Sequence, residues 1–124
     1  KLVDVHDLEN IRRNMISSLL DEGVEILDIY YCPHFFDDYC DCRKPEPGMF
    51  YNVSSDWFIK LDETLYIGDA VSDIMAAYNA GTKSIFLGEG DELKDLPESE
   101  MPIEISKRLT ESVPTILKYF IKDY

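Results

Sequence analysis

Thr64-Leu65-Tyr66-Ile67-Gly68-Asp69-Ala70-Val71-Ser72-Asp73 is the stretch whose reading decides the fold. Thr64–Ile67 is a short apolar run that reads as a strand and stops at Gly68-Asp69. A helical pattern follows over roughly Ser72–Ala80, with Gly81 as the glycine that closes it. Lys83–Leu87 then reads as a second buried strand. A strand, a tight turn, a helix and another strand make a crossover unit, which places the two strands parallel in one sheet.

Working outward, the same alternation continues. Towards the N-terminus, Pro47–Trp57 reads as a helix with Pro47 tolerated in its first turn. Before it, Cys32–Pro47 has no periodicity and predicts a long loop, and Val24–Tyr31 reads as a strand of β-formers. Asp7 is placed to cap a helix whose apolar stripe is Leu8, Ile11, Met15, Ile16, Leu19 and Leu20, with Gly23 as its stop. Towards the C-terminus, Glu89–Met101 reads as an acidic loop, Pro102–Ile105 as a short edge strand, and Ser112 as the cap of a helix to about Lys122. The fold class expected is α/β, with a parallel, Rossmann-like sheet. Chemistry in such sheets gathers at the carboxyl ends of strands, and Cys32 and Asp69 each follow a strand directly.

Length and composition bound the function. The 124 residues suffice for one domain with one core, and 45% hydrophobic content is a globular profile. No apolar run approaches the roughly 20 residues needed to cross a bilayer, so no membrane partner is expected. The formal net charge of -13 repels nucleic-acid phosphates and anionic surfaces, which sets nucleic acid aside as well. An enzyme of this charge acting on phosphate esters needs a divalent cation and a few placed basic residues. The chain begins at Lys1, without an initiator Met.

All three cysteines, Cys32, Cys40 and Cys42, fall within eleven residues, together with His34, one of the two histidines. An odd number of thiols so closely spaced argues against a disulfide framework. Three thiols and an imidazole are the closed tetrahedral set of a structural zinc site. Binding free energies of roughly 10–16 kcal/mol for structural zinc are ample to hold a coreless loop in order. The plainer alternative is three reduced cysteines and a surface histidine that happen to cluster. His6 stands alone and reads as a surface residue.

Arg43-Lys44-Pro45 follows the last thiol at once. Two adjacent cations in an acidic chain make a phosphate grip, Arg by a bidentate clamp and Lys as a point charge; taken alone, such a pair is a solvated surface. Asp69 at a strand tip can ligate a hard cation, and Asp73 lies one helical turn on. Magnesium takes only one or two protein carboxylates and keeps several waters, which suits that pair. The alternative is that both carboxylates simply face the positive end of a helix.

Taken together, Tyr30-Tyr31-Cys32-Pro33-His34, then Cys40-Asp41-Cys42-Arg43-Lys44-Pro45-Glu46-Pro47-Gly48-Met49, then Tyr66-Ile67-Gly68-Asp69 resemble the heptose-bisphosphate phosphatases of the haloacid dehalogenase superfamily. The resemblance runs from about Asp7 to the C-terminus. The zinc loop followed by Arg-Lys-Pro is its specific part, and the Gly-Asp motif is common to the superfamily. It implies a Rossmann-like three-layer sandwich, incomplete at the N-terminus, with residues 1–124 as one partial phosphatase domain and 32–47 as a zinc-binding substrate loop within it. It implies zinc on Cys32, His34, Cys40 and Cys42, substrate contact by Arg43 and Lys44, charge stabilisation by Lys44, and magnesium on Asp69 with Asp73 in support. Zinc is then structural, and magnesium takes part in the chemistry. The substrate implied is a small sugar phosphate, heptose 1,7-bisphosphate; a reduced zinc site points to the cytoplasm, and a monomer is expected when the protein is complete.

The family mechanism uses an aspartate nucleophile, and a second aspartate two residues later protonates the leaving oxygen. This sequence has no Asp-x-Asp pair in that setting: Asp4 and Asp7 have the wrong spacing, and Asp37-Asp38 lie in the zinc loop. The resemblance therefore implies that the chain begins midway through the family's fold, that an N-terminal part of the intact protein carries the pair, and that this chain alone is inactive. A sheet edge left open by that part is an aggregation liability. Two alternatives stand beside this reading. Histidinol-phosphate phosphatases share a similar zinc loop, and a non-catalytic zinc-bound binding module needs no Asp-x-Asp pair.

Overall fold

The computed structural model describes residues 5–31 and 44–121, in two units, Lys1–Tyr31 and Cys32–Tyr124. In the first unit helix α1 spans Val5–Asp21, so Asp7 lies inside its first turn and does not cap it. Chain reversal at Gly23 returns the Val24 N–H to the Leu19 carbonyl at 2.8 Å. Arg12 sits between Glu9, 3.5 Å away, and Asp28, at 3.4 Å, and so ties the helix to the segment that follows it. Ile11, Met15 and Leu20 of the expected apolar stripe are exposed.

Val24–Tyr31 is not a strand. The segment belongs to none of the described sheet's ladders, and Val24, Leu27 and Tyr31 are exposed. Beta-branched and aromatic residues favour strands because they pack on a pleated, half-covered surface. Among the described residues no strand pairs with this segment, so that preference has nothing to act on.

In the second unit α2 spans Gly48–Trp57, β1 Leu65–Gly68, α3 Val71–Asn79 and β2 Lys83–Leu87. Strand β3 (Glu104–Ser106) and α4 (Leu109–Phe120) complete it. The sheet has the order β1-β2-β3, all parallel, with Leu65 opposite Lys83 and Ile85 opposite Glu104. Parallel neighbours need long crossovers. Helix α3 is the first, and it ends as the sequence predicts. Gly81 adopts φ +75°, a conformation only glycine takes at no steric cost, and the Thr82 N–H reaches back to the Ala77 carbonyl at 2.8 Å.

The second crossover differs from expectation. Residues 89–101 form no featureless acidic loop but carry two short 3-10 turns, Asp91–Leu93 and Glu98–Glu100. Leu93 is fully buried against Ile74 and Phe86, with Val71 and Leu96 beside them. Ile85 and Phe86, consecutive on β2, are both fully buried. Successive strand residues point to opposite faces, so both faces of β2 are covered, as a layered α/β fold requires.

Ser112 is not a cap. Helix α4 begins three residues earlier, and the buried Ser112 hydroxyl donates to the Leu109 carbonyl at 2.7 Å inside the first turns. Serine competes for helix backbone carbonyls in just this way. Glu111 takes the work of a start signal by accepting the Lys107 N–H at 3.0 Å. Among the described residues, no helix is long and apolar enough to cross a membrane.

Candidate active site

Three of the candidate residues meet where β1 gives way to α3. Strand alternation turns Tyr66 and Gly68 to one face of β1. Helix α3 starts after Ala70 and returns Asp73, in its first turn, over that face. Gly68 has no side chain because there is no room for one: a Cβ there would overlap the Asp73 side chain. Asp73 is only 3% exposed, and a carboxylate that deep must be satisfied by donors.

It is. Oδ2 accepts the backbone N–H groups of Asp69 and Ala70, each at 3.1 Å. Those bonds pin the β1–α3 turn and satisfy donors that a helix start leaves open. Oδ1 accepts the Tyr66 hydroxyl at 3.2 Å and the Lys44 ammonium, with which it forms an ion pair. Lys44 arrives from 29 positions earlier in the chain. Its turn is fixed to α3 by Asn79, whose Nδ2 donates to the Pro45 carbonyl at 3.0 Å.

Tyr66 is held by its ring. Phe50 of α2 packs against it with ring centroids 4.7 Å apart and a tilt of 52°, and behind both lie Ala76 and Ala77 of α3 and Ala80 just after it. The small residues of α3 let α2 approach, so the core itself sets where the Tyr66 hydroxyl points.

The electrostatics follow. Burial alone would raise the Asp73 carboxyl, but the Lys44 hydrogen bond and charge, the Ala70 N–H and the Tyr66 hydroxyl together hold it below its ordinary value. Burial alone would lower the Lys44 ammonium, yet Asp73 and Tyr66 hold it above its ordinary value. Burial and the charge of Asp73 push the Tyr66 phenol up, against the pull of Lys44, so it is a neutral donor at pH 7. Asp69 lies beside this group as the first residue after β1, and it is exposed.

Of the residues singled out from the sequence, the structure brings Lys44, Asp69 and Asp73 together. Cys32, His34, Cys40, Cys42 and Arg43 lie outside the described residues, and so does most of the 32–47 loop. Among the described residues there is no cluster of three or more His, Cys, Asp or Glu placed to hold a metal. The sequence reading missed Tyr66, Phe50 and Asn79. Only Tyr66 left a signal, its two-residue spacing from Gly68 on one strand face.

Comparison with known proteins supplies the setting. The family model described as HAD-hydrolase-like matches residues 41–112, a span that contains Lys44, Tyr66, Asp69 and Asp73. The chain is 33% identical over 98 residues to a D-glycero-beta-D-manno-heptose-1,7-bisphosphate 7-phosphatase of Pseudomonas putida, covering 76% of this chain and 56% of that protein. To the enzyme of the same name from Pseudomonas aeruginosa it is 31% identical over 102 residues, 79% of this chain and 57% of the other. The solved D,D-heptose 1,7-bisphosphate phosphatase from B. bronchiseptica, complexed with magnesium and phosphate, is similar with a TM-score of 0.78 at 29% identity. That likeness covers 93% of this chain and 65% of that one. The chain spans about half the length of the curated relatives it matches.

Proposed function

Given that this chain belongs to the HAD-like hydrolase family, we propose that the intact protein is a magnesium-dependent phosphatase of a small sugar phosphate, heptose 1,7-bisphosphate. The observation that carries this reading is the Lys44 ammonium fixed by a buried carboxylate beside the exposed Asp69, at the carboxyl end of β1. A cation held in place before substrate arrives stabilises charge on a phosphoryl group without reorganising at the moment of reaction. The names of the relatives supply the substrate class.

Asp69 fits a divalent cation better than Asp73 does. Both Asp73 oxygens already accept two donors each, whereas Asp69 is exposed at the strand tip. In this reading Asp69 ligates magnesium and Asp73 supports the site by holding Lys44 and the β1–α3 turn. Magnesium, when bound, neutralises charge on the phosphoryl oxygens. Lys44 holds its ammonium towards the same oxygens, and Arg43 contacts substrate. In this reading the nucleophile and the general acid are an Asp-x-Asp pair that this chain does not contain. Cys32, His34, Cys40 and Cys42 have the donor chemistry of a closed structural zinc site that shapes the substrate loop. Reduced thiols of that kind suit the cytoplasm.

The test is phosphate release from heptose 1,7-bisphosphate by the intact protein with and without magnesium, set against histidinol phosphate. Turnover that needs magnesium and prefers the heptose is expected. Asp69→Asn and Lys44→Ala should each lose on the order of a hundredfold or more in kcat. Full activity in both variants would sink the reading.

A further inference from the structure

We propose that Tyr66 is a positioning residue of this site, holding the Lys44 ammonium in place through the shared Asp73 carboxylate. The inference rests on the phosphatase reading for its catalytic consequence, though not for its geometry.

A tyrosine at this place needs a reason. Its ring lies against Phe50 and the small residues of α3, a role phenylalanine would fill as well. The hydroxyl is what phenylalanine lacks, and in a half-buried ring it must find a partner. The partner is Asp73 Oδ1, at 3.2 Å, the same atom that receives Lys44.

Consider what fixes the direction of the ammonium. A lysine side chain has a flexible four-carbon stem and no preferred fork geometry, so its head goes where its acceptor is. Asp73 can present Oδ1 in one direction only if the carboxylate does not rotate. The backbone N–H groups of Asp69 and Ala70 hold Oδ2, and Tyr66 holds Oδ1 from the strand side. Tyr66 is in turn fixed by the Phe50 contact, so the ordering passes from core to ring, from ring to carboxylate, and from carboxylate to ammonium. Without the hydroxyl, Oδ1 is held by Lys44 alone, and the pair can swing together. A mobile cation still attracts a phosphate in the ground state, but it serves the transition state less well. The cost should therefore fall on kcat and spare KM.

Tyr66→Phe in the intact protein tests this, because it keeps the ring and removes only the oxygen. The expected result is a kcat lower by about fivefold, with KM changed by less than about twofold. The melting temperature should stay within about 2 °C. An unchanged kcat, or a fall in kcat matched by the loss of folded protein, would overturn the proposal. A second readout is independent of turnover. The exchange of the Lys44 ammonium protons with water, followed by nitrogen-15 NMR at one fixed pH, should be several-fold faster in Tyr66→Phe than in the parent. Equal exchange rates would also overturn the proposal. If the parent protein itself fails to release phosphate, the phosphatase reading fails, and the exchange rates alone decide whether Tyr66 positions Lys44.

Discussion

Lys44 and Asp73 meet as an ion pair with unequal burial: 34% of the lysine side chain is exposed, against 5% of the aspartate. The carboxylate is thus a buried countercharge, and part of the lysine side chain stays exposed. A pair buried at both ends could only stabilise the fold. This one joins a buried carboxylate to a partly exposed lysine at the carboxyl end of a parallel strand, where ligands of such sheets bind.

Asp73→Ala tests the structural half of that statement. It removes the acceptor of four donors at once, two of them backbone N–H groups at the start of α3. Breaking a fully buried pair costs about 3–5 kcal/mol, and the partial exposure of Lys44 reduces that, so about 2–3 kcal/mol is expected. Urea unfolding gives the value. A loss below about 0.5 kcal/mol would mean that the carboxylate organises little.

The ion pair also fixes the sign of a pH dependence. The Asp73 carboxyl is lowered from its ordinary 3.8 in the folded state, so the folded protein binds that proton less readily than the unfolded chain. Its stabilisation is present above pH 3.8 and is lost as pH falls through the depressed folded value. Lys44 is raised from 10.5, and its share is present below that pH and lost as pH rises through the higher folded value. Unfolding free energy measured from pH 6 to pH 2 should fall less steeply in Asp73→Asn than in the parent. Identical slopes would contradict the assignment.

Gly68 is a test of space alone. Since a Cβ at that position overlaps the Asp73 side chain, Gly68→Ala must displace the carboxylate or the strand. Overpacking of this kind costs about 1–3 kcal/mol. The variant should also release Lys44 and lower phosphatase turnover. Wild-type stability together with wild-type turnover would show that the site tolerates a shift.

Leu93 concerns the second crossover. It is fully buried against Ile74 and Phe86, so Leu93→Ala leaves a cavity and should cost about 2–5 kcal/mol. Neighbouring Leu96 is only partly buried and should cost less when truncated. The reverse order would contradict the packing described.

What could be read from the sequence was local. Thr64–Asp73 encodes strand, turn and helix within ten consecutive residues, and Gly81 marks its own stop, so β1, α3 and β2 were legible. Leu93 was not, because one apolar residue among Asp91, Glu92, Lys94 and Asp95 shows no period from which burial can be inferred. Val24–Tyr31 misled for the converse reason: its residues favour a strand, but a strand exists only with a partner. Lys44, Asp69 and Asp73 were each singled out as candidates by their neighbours in sequence. Their arrangement was not legible, since α2 and β1 lie in sequence between Lys44 and Asp73. Tyr66 left no more than its spacing from Gly68, because its contacts with Phe50 and Asp73 come from other elements.

The most direct test of the central claim, a phosphoryl-stabilising lysine at the end of β1, is the rate of phosphate release from heptose 1,7-bisphosphate by the intact protein and its Lys44→Ala variant at saturating magnesium. A fall in kcat on the order of a hundredfold or more, with the variant still folded, is the predicted result. A variant that turns over within about twofold of the parent would contradict it.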